Sequence, residues 1–387
     1  MTLQQKLDPG TGSKRILSLD GGGIRGALTL GYLKRIETIL RQKSGNPDLL
    51  LSDYFDLIGG TSTGSIIATA LAIGKSVDEI YKLYMDLGGK IFGQKNDWWK
   101  PWETHKFLKA SYDYKALENN LKEVFGDITL GGSEIKTGLC IVAKRADTNS
   151  VWPLINHPKG KYFDSENGKN KDIYLWQAVR ASSAAPTYFV PQMIEVGNKQ
   201  IAAFVDGGVS MSNNPALTLL MVATLKGFPF HWPMGEDNLS IVSVGTGYSV
   251  FTKKTGDIEE AWLGTWAAAV PDMLMQDASW QNQIILQWLS HSHTAIEIDG
   301  EIGKLEGDSI GGKPMINYLR YNFPITKDTL NKLGLKQSFD DKDVANIAEM
   351  SNAENRFLLY DIGVAAGNAQ IKEDHFSDKF DLVLESQ

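Results

Sequence analysis

The sequence predicts an α/β fold with a largely parallel central sheet. Apolar runs of strand length occur at Arg15–Leu19, Phe55–Ile58, 136–144, Ile201–Val205 and Leu239–Val244. Segments with helical spacing of apolar residues lie between them, and strands alternating with helices argue for a parallel sheet. Four of the runs lead into glycine-rich turns: DGGGIRG, GGTSTG, DGG and GTG. In such sheets the carboxyl ends of the strands share one rim, where ligands bind.

Composition sets outer limits. At 387 residues the chain has room for two domains or for one large domain with helical additions. Its 42% hydrophobic content is enough for a substantial core. A net charge of −7 argues against nonspecific binding to a nucleic-acid polymer. The single cysteine, Cys140, excludes an intramolecular disulfide framework and a multi-cysteine metal site. The first residues lack the apolar core of a signal peptide. No run of about 18 apolar residues offers a membrane span. A cytoplasmic protein is the expectation.

Residues 1–13 read as a loose polar arm ahead of the first strand, Arg15–Leu19. Asp20 to Gly26 then lead into a helix from about Ile24 to Gln42, with Ile24, Leu28, Leu33, Ile36 and Leu40 at near-helical spacing. Strand, glycine run and helix start together present backbone N–H groups to an anion. Gly21, Gly23 and Gly26 also fit G-x-G-x-x-G. A dinucleotide fingerprint would need an acid closing the second strand, and the run at 55–58 comes too late and ends in GGTSTG. A phosphate loop fails too, because Ser65 stands where lysine is required. An oxyanion hole is the better use of these donors.

The next strand, Phe55–Ile58, breaks at Gly59-Gly60 and continues through Thr61-Ser62-Thr63-Gly64 into a helix. Gly60 to Gly64 is G-x-S-x-G in the strand–turn–helix setting of a nucleophile elbow. The same small residues also suit a plain turn. Residues 76–125 read as mostly helical, interrupted by Trp98, Trp99 and Trp102 beside Lys100 and Pro101. Those rings suit a lipid headgroup level or a core between helices. After the strand at 136–144, residues 156–172 read as an exposed loop and Tyr174–Ala184 as a helix running into SSAAPTYF.

The strand Ile201–Val205 ends in Asp206-Gly207-Gly208, either a carboxylate aimed at the sheet rim or a simple Asp-Gly turn. Asn214 and Pro215 suit the N-cap and first residue of a helix over 215–226. After the strand Leu239–Val244, residues 256–290 read as helical, with Trp262, Trp266, Trp280 and Trp288 suited to a lid or to packing. A hairpin is expected around Gly311-Gly312, and closing helices near 341–351 and 354–370.

A serine nucleophile needs a base. The histidines after Asp206 are His231, His291, His293 and His375, and none has a recognisable catalytic setting. DGGGIRG, GTSTG and DGG in that order, with SSAAPTYF before the last and NNPA after it, resemble the patatin-like phospholipase family. The likeness covers roughly 14–250, taken as the catalytic core. Residues 251–387 are taken as a mostly helical part packed on it.

The resemblance implies a three-layer α/β/α sandwich and a lipid acyl hydrolase of phospholipase A type. Carried over, Ser62 is the nucleophile and Asp206 its direct base, without histidine. The loop Gly21, Gly22, Gly23, Arg25 and Gly26 implies the oxyanion hole, with N–H groups of Gly22 and Gly23 as donors and Arg25 as support. Gly60, Gly64, Gly207 and Gly208 complete the motifs. No metal or cofactor is called for. The implied partner is membrane phospholipid, met peripherally. Some bacterial proteins that the chain resembles are effectors of anti-phage signalling, degrading membrane when a cyclic dinucleotide binds. A cyclic dinucleotide activator is therefore the alternative, and the C-terminal third has room for its site. Parallel strands with ends on one rim are expected to bring Ser62 and Asp206 together.

Overall fold

The computed structural model describes residues 1–92, 114–186, 188–250 and 263–382. In chain order the described strands are β1 (Lys14–Leu19), β2 (Leu57–Thr61), β3 (Gly138–Arg145), β4 (Ser150–Ile155), β5 (Gln192–Glu195), β6 (Ile201–Asp206), β7 (Leu239–Val244), β8 (Tyr248–Ser249), β9 (Asn317–Tyr321) and β10 (Pro324–Ile325). Neighbours β3, β2, β1, β7 and β9 run parallel. On the far side β4 pairs antiparallel with β3, β6 with β3, and β5 with β6.

Successive side chains of a strand face opposite ways, and both faces are buried here. Leu17, Leu19, Ile58, Leu139, Ile141 and Val244 enter one core. Ile16, Leu57, Cys140, Val142, Leu239 and Ile241 enter the other. The first is covered by helices Gly26–Ser44, Thr63–Ala72, Leu175–Ser182 and Arg356–Gln370 among others. The second is covered by Ala216–Thr224, Leu3–Leu7 and the end of Leu263–Trp288. The result is a three-layer α/β/α sandwich with a mostly parallel sheet and a helical C-terminal region.

One pairing decides where the site forms. β4 takes one edge of β3 over Cys140–Arg145. The other edge is therefore shared: β2 pairs with Gly138–Val142 and β6 with Ala143–Arg145. β2 is parallel to β3 and β6 antiparallel, so the two meet end to end. Thr61 lies opposite Val142, and Asp206 opposite Ala143. The expected route to proximity, two parallel strands ending on one rim, is thus corrected. β3 overshoots the rim, and β6 runs back along the overshoot to deliver Asp206.

Other expectations also change. Residues 1–13 are no loose arm: helix Leu3–Leu7 carries a Thr2 capping box, and the buried Lys6 ammonium donates to the carbonyls of Ser52, Asp53 and Phe55. Gly59 and Gly60 do not break the second strand but belong to it. At Gly311-Gly312 there is a single 3-10 turn rather than a hairpin. The helix after Asn214 starts one residue later than expected: Pro215 holds the N-cap position and Ala216 is the first helical residue, while Asn214 Oδ1 accepts from the Ala216 N–H at 3.1 Å.

Candidate active site

Ser62 sits between the end of β2 and helix Thr63–Ala72 with φ 53° and ψ −126°. A non-glycine residue there stores about 1–3 kcal/mol of strain, held by its surroundings. The surroundings are tight. An added Cβ on Gly60 would lie 2.2 Å from the Gly64 carbonyl oxygen, and one on Gly64 would lie 2.3 Å from that of Leu19. Only glycine at both positions lets strand, turn and helix close this far. The Ser62 N–H donates to Ser182 Oγ at 2.9 Å, and that hydroxyl donates to the Val142 carbonyl at 2.6 Å. Ser182 thereby pins the turn to β3.

Asp206 is buried and arrives from the opposite direction. Its N–H donates to the Ala184 carbonyl at 3.0 Å, and its Oδ1 accepts from the Gly208 N–H at 2.7 Å. Burial pushes its carboxyl up to about 6, while hydrogen bonds from the Ser62 side chain and the Gly208 N–H pull the other way. The carboxylate facing Ser62 is thus a stronger base than in water, yet ionised at neutral pH. Gly207 lies against β3, where a Cβ would stand 2.4 Å from the Val142 oxygen.

The loop from Asp20 to Gly26 flanks the serine. A Cβ on Gly21 would be 3.2 Å from Ser62 Cβ. The Gly21 N–H donates to Asn213 O and the Ile24 N–H to Met350 O, at 3.0 and 2.8 Å. Between them, the N–H groups of Gly22 and Gly23 have no acceptor among the described residues. Gly23 has φ 57°, and the Gly22 Cα abuts Thr246, whose Oγ1 donates to Gly21 O at 3.1 Å. Burial pushes the Arg25 guanidinium down to about 10, and its Nη1 donates to the Ala348 carbonyl at 3.3 Å. Gly26 meets the Tyr84 hydroxyl. That hydroxyl hydrogen-bonds both Gly23 O and Thr63 Oγ1 at 2.7 Å, joining the loop to the serine helix.

The described histidines make their contacts elsewhere. His231 Nε2 approaches the Lys226 carbonyl, His375 Nδ1 pairs with the Tyr321 hydroxyl, and His291 lies 3.9 Å from Glu236. His157 packs edge-on against Phe230. His105 and the cluster Trp98, Trp99 and Trp102 lie outside the described residues. Among those residues no group of three His, Cys, Asp or Glu side chains is placed to hold a metal, and no helix is long and apolar enough to cross a membrane.

Sequence reading missed the residues that position the pair. Ser182, Asn213, Tyr84, Thr246 and Arg320, the last bonded to Asp20, act through contacts between distant segments. Only the small-residue run at 182–185 carried a local hint.

The class is that of an α/β/α protein with a serine on a strained strand-to-helix turn, near a buried aspartate and backbone N–H groups that have no acceptor among the described residues. The family model "Patatin-like phospholipase" matches residues 17–220, over half the chain, and the chain belongs to that family. A cGAMP-activated phospholipase of Escherichia coli (strain TW11681) is 32% identical over 240 residues, 60% of this chain and 62% of that protein. A cGAMP-activated phospholipase of Vibrio cholerae serotype O1 is 31% identical over 266 residues, 65% of this chain and 70% of that protein. Patatin-17 of Solanum cardiophyllum is 28% identical over 269 residues, 65% of each chain. The chain thus spans less than two thirds of the first and third of these relatives.

Proposed function

We propose that the protein is a lipid acyl hydrolase of phospholipase A type, cleaving carboxylic esters of membrane phospholipids through Ser62 and Asp206. The observation that carries this is the strained Ser62 facing a buried Asp206 beside two N–H groups without acceptors among the described residues. Ser62 Oγ bonds to the ester carbonyl carbon as Asp206 takes its proton. The carbonyl π pair moves onto oxygen, where the Gly22 and Gly23 N–H groups hold the negative charge. Collapse expels the lysolipid alkoxide, which takes the proton from Asp206. Water then attacks the acyl-enzyme with Asp206 again as base. Mass-spectrometric analysis of products from mixed phospholipid vesicles tests the reading. Release of fatty acid with matching lysophospholipid supports it, and release of neither rejects it.

The pH dependence follows from the base. Asp206 must be ionised to accept the proton, so kcat/KM rises with pH through about 6 and levels off above. A pH–rate profile checks this, and an acid limb governed instead by a group near 4 would contradict it.

Peripheral membrane contact is part of the proposal. Helix Leu263–Trp288 exposes Trp266, Val270, Met273 and Leu274 at helical spacing. Its Asn282 Nδ2 donates to the Met211 carbonyl at 2.8 Å, beside an exposed Met211 side chain on the loop after Asp206. An exposed apolar face on a helix that also touches the loop after Asp206 suits a lipid surface. Replacing Trp266, Val270, Met273 and Leu274 with serine is expected to lower vesicle co-sedimentation at least about tenfold with the melting temperature unchanged. Undiminished binding would exclude this face.

A second reading, a phospholipase switched on by a cyclic dinucleotide, is favoured by the two relatives named as cGAMP-activated.

A further inference from the structure

A cavity of about 580 Å3 opens between helix Leu263–Trp288, the end of β9 and the segment after helix Arg356–Gln370. Its volume falls within the range of small-molecule sites. It is separate from Ser62 and Asp206, neither of which lines it. The lining carries Arg320, Lys332 and Lys372 and no aspartate or glutamate, although the whole chain bears a net charge of −7. Local cations without lining carboxylates create a field that draws an anion. Tyr248, Trp280 and Tyr321 add flat aromatic walls. Gln276 and Asn322 bring amide donors and acceptors of the kind that read a base edge.

The cavity is wired to the oxyanion loop. Arg320 holds Asp20, the first residue of DGGGIRG, through Nη1–Oδ1 at 2.8 Å and Nη2–Oδ2 at 2.5 Å. Both side chains are buried. Burial opposes the Arg320 charge, and Asp20 overrides it, raising the guanidinium pKa. A second route runs through Asn322, whose Oδ1 accepts from the Gly247 N–H at 2.8 Å. The adjacent Thr246 donates to Gly21 O. A group competing for Arg320 or Asn322 therefore acts on the segment that carries the Gly22 and Gly23 donors.

We propose that this cavity is an effector site for a nucleotide-class ligand, with phosphate on Arg320, Lys332 and Lys372 and a base against the aromatic walls. Ligand phosphate draws Arg320 from Asp20 and resets the oxyanion loop, so occupancy raises the reactivity of Ser62. The coupling rests on the hydrolase reading above; the binding site does not. Such coupling is reciprocal, so acylation at Ser62 tightens the ligand in turn.

The test uses the full chain, 3′,3′-cGAMP, cyclic di-GMP, 5′-AMP and inorganic phosphate. Calorimetry reads binding, and the rate of Ser62 labelling by a fluorophosphonate reads reactivity without a lipid surface. At least one nucleotide is expected to bind far more tightly than inorganic phosphate and to accelerate labelling at least about tenfold. Lys332→Glu with Lys372→Glu, both at exposed positions, should weaken that binding at least about tenfold with ligand-free labelling unchanged. Asp20→Asn should label at one rate with or without ligand. No nucleotide binding, binding indifferent to the two charge reversals, or phosphate binding as tightly as the nucleotides would overturn the site. Binding with no change in labelling would overturn the coupling. A wild-type protein that never labels would instead reject the hydrolase reading, while the calorimetry still decides the site.

Discussion

Ser62→Ala is expected to lose ester hydrolysis by about six orders of magnitude in kcat, the loss seen when a comparable serine hydrolase is stripped of its nucleophile. The fold should survive. Alanine keeps the Cβ that φ 53° already accommodates, so the turn bears no new strain. The Ser62 N–H still reaches Ser182 Oγ, because that bond uses only backbone at position 62. What disappears is the nucleophile and its interaction with Asp206, which leaves the carboxylate with the Gly208 N–H. Turnover on phospholipid vesicles, read beside a melting curve, checks the result. Residual hydrolysis within about a hundredfold of wild type would place the nucleophile elsewhere.

Asp206→Asn should fall about ten-thousand-fold in kcat, the upper range for loss of a general base. Asparagine has nearly the same shape and can still accept the Gly208 N–H, but it cannot take the serine proton. Stability should move the other way. The folded state disfavours the charged carboxylate, whose pKa rises from 3.8 to about 6 on burial. Stability is therefore lost as pH rises through that interval. Between those values the cost reaches about 3 kcal/mol, and asparagine does not bear it. The variant should melt above wild type at pH 8, with the difference closing below about pH 4. A dead enzyme that is more stable than its parent separates a chemical role from a structural one. A variant that is less stable at pH 8 would show that the hydrogen bonds holding the charge outweigh its burial.

Much of this fold was legible because its signals are local. β1, β7 and the helices after Gly26 and Thr63 follow from apolar runs and spacing. The Ser62 turn follows from glycines whose absent Cβ atoms make room for neighbouring backbone. Signals that depend on distant partners stayed hidden. β4 contains Trp152 and Pro153 and lies at the β3 flank, where a proline is tolerated, so it lacked the look of a strand. β6 read as one more parallel strand because a run of six residues does not state its direction. The Gly59-Gly60 pair looked like a strand end, although both residues continue β2 under Leu219 and the serine helix. Asp20 looked like the first residue of a glycine loop. Its partner Arg320 lies 300 positions away, on a strand the sequence did not announce. Motifs point to the candidate reacting atoms, whereas long-range packing sets where they meet.

The central claim is that Ser62 reacts with Asp206 as its base and with no histidine. Intact-protein mass spectrometry of fluorophosphonate labelling over time tests it most directly. The account predicts a single adduct on Ser62 in wild type and labelling slowed by orders of magnitude in Asp206→Asn. Each of the six histidines changed singly to alanine should label at close to the wild-type rate. A folded Asp206→Asn protein labelled as fast as wild type, or one folded histidine variant as unreactive as Asp206→Asn, would contradict it.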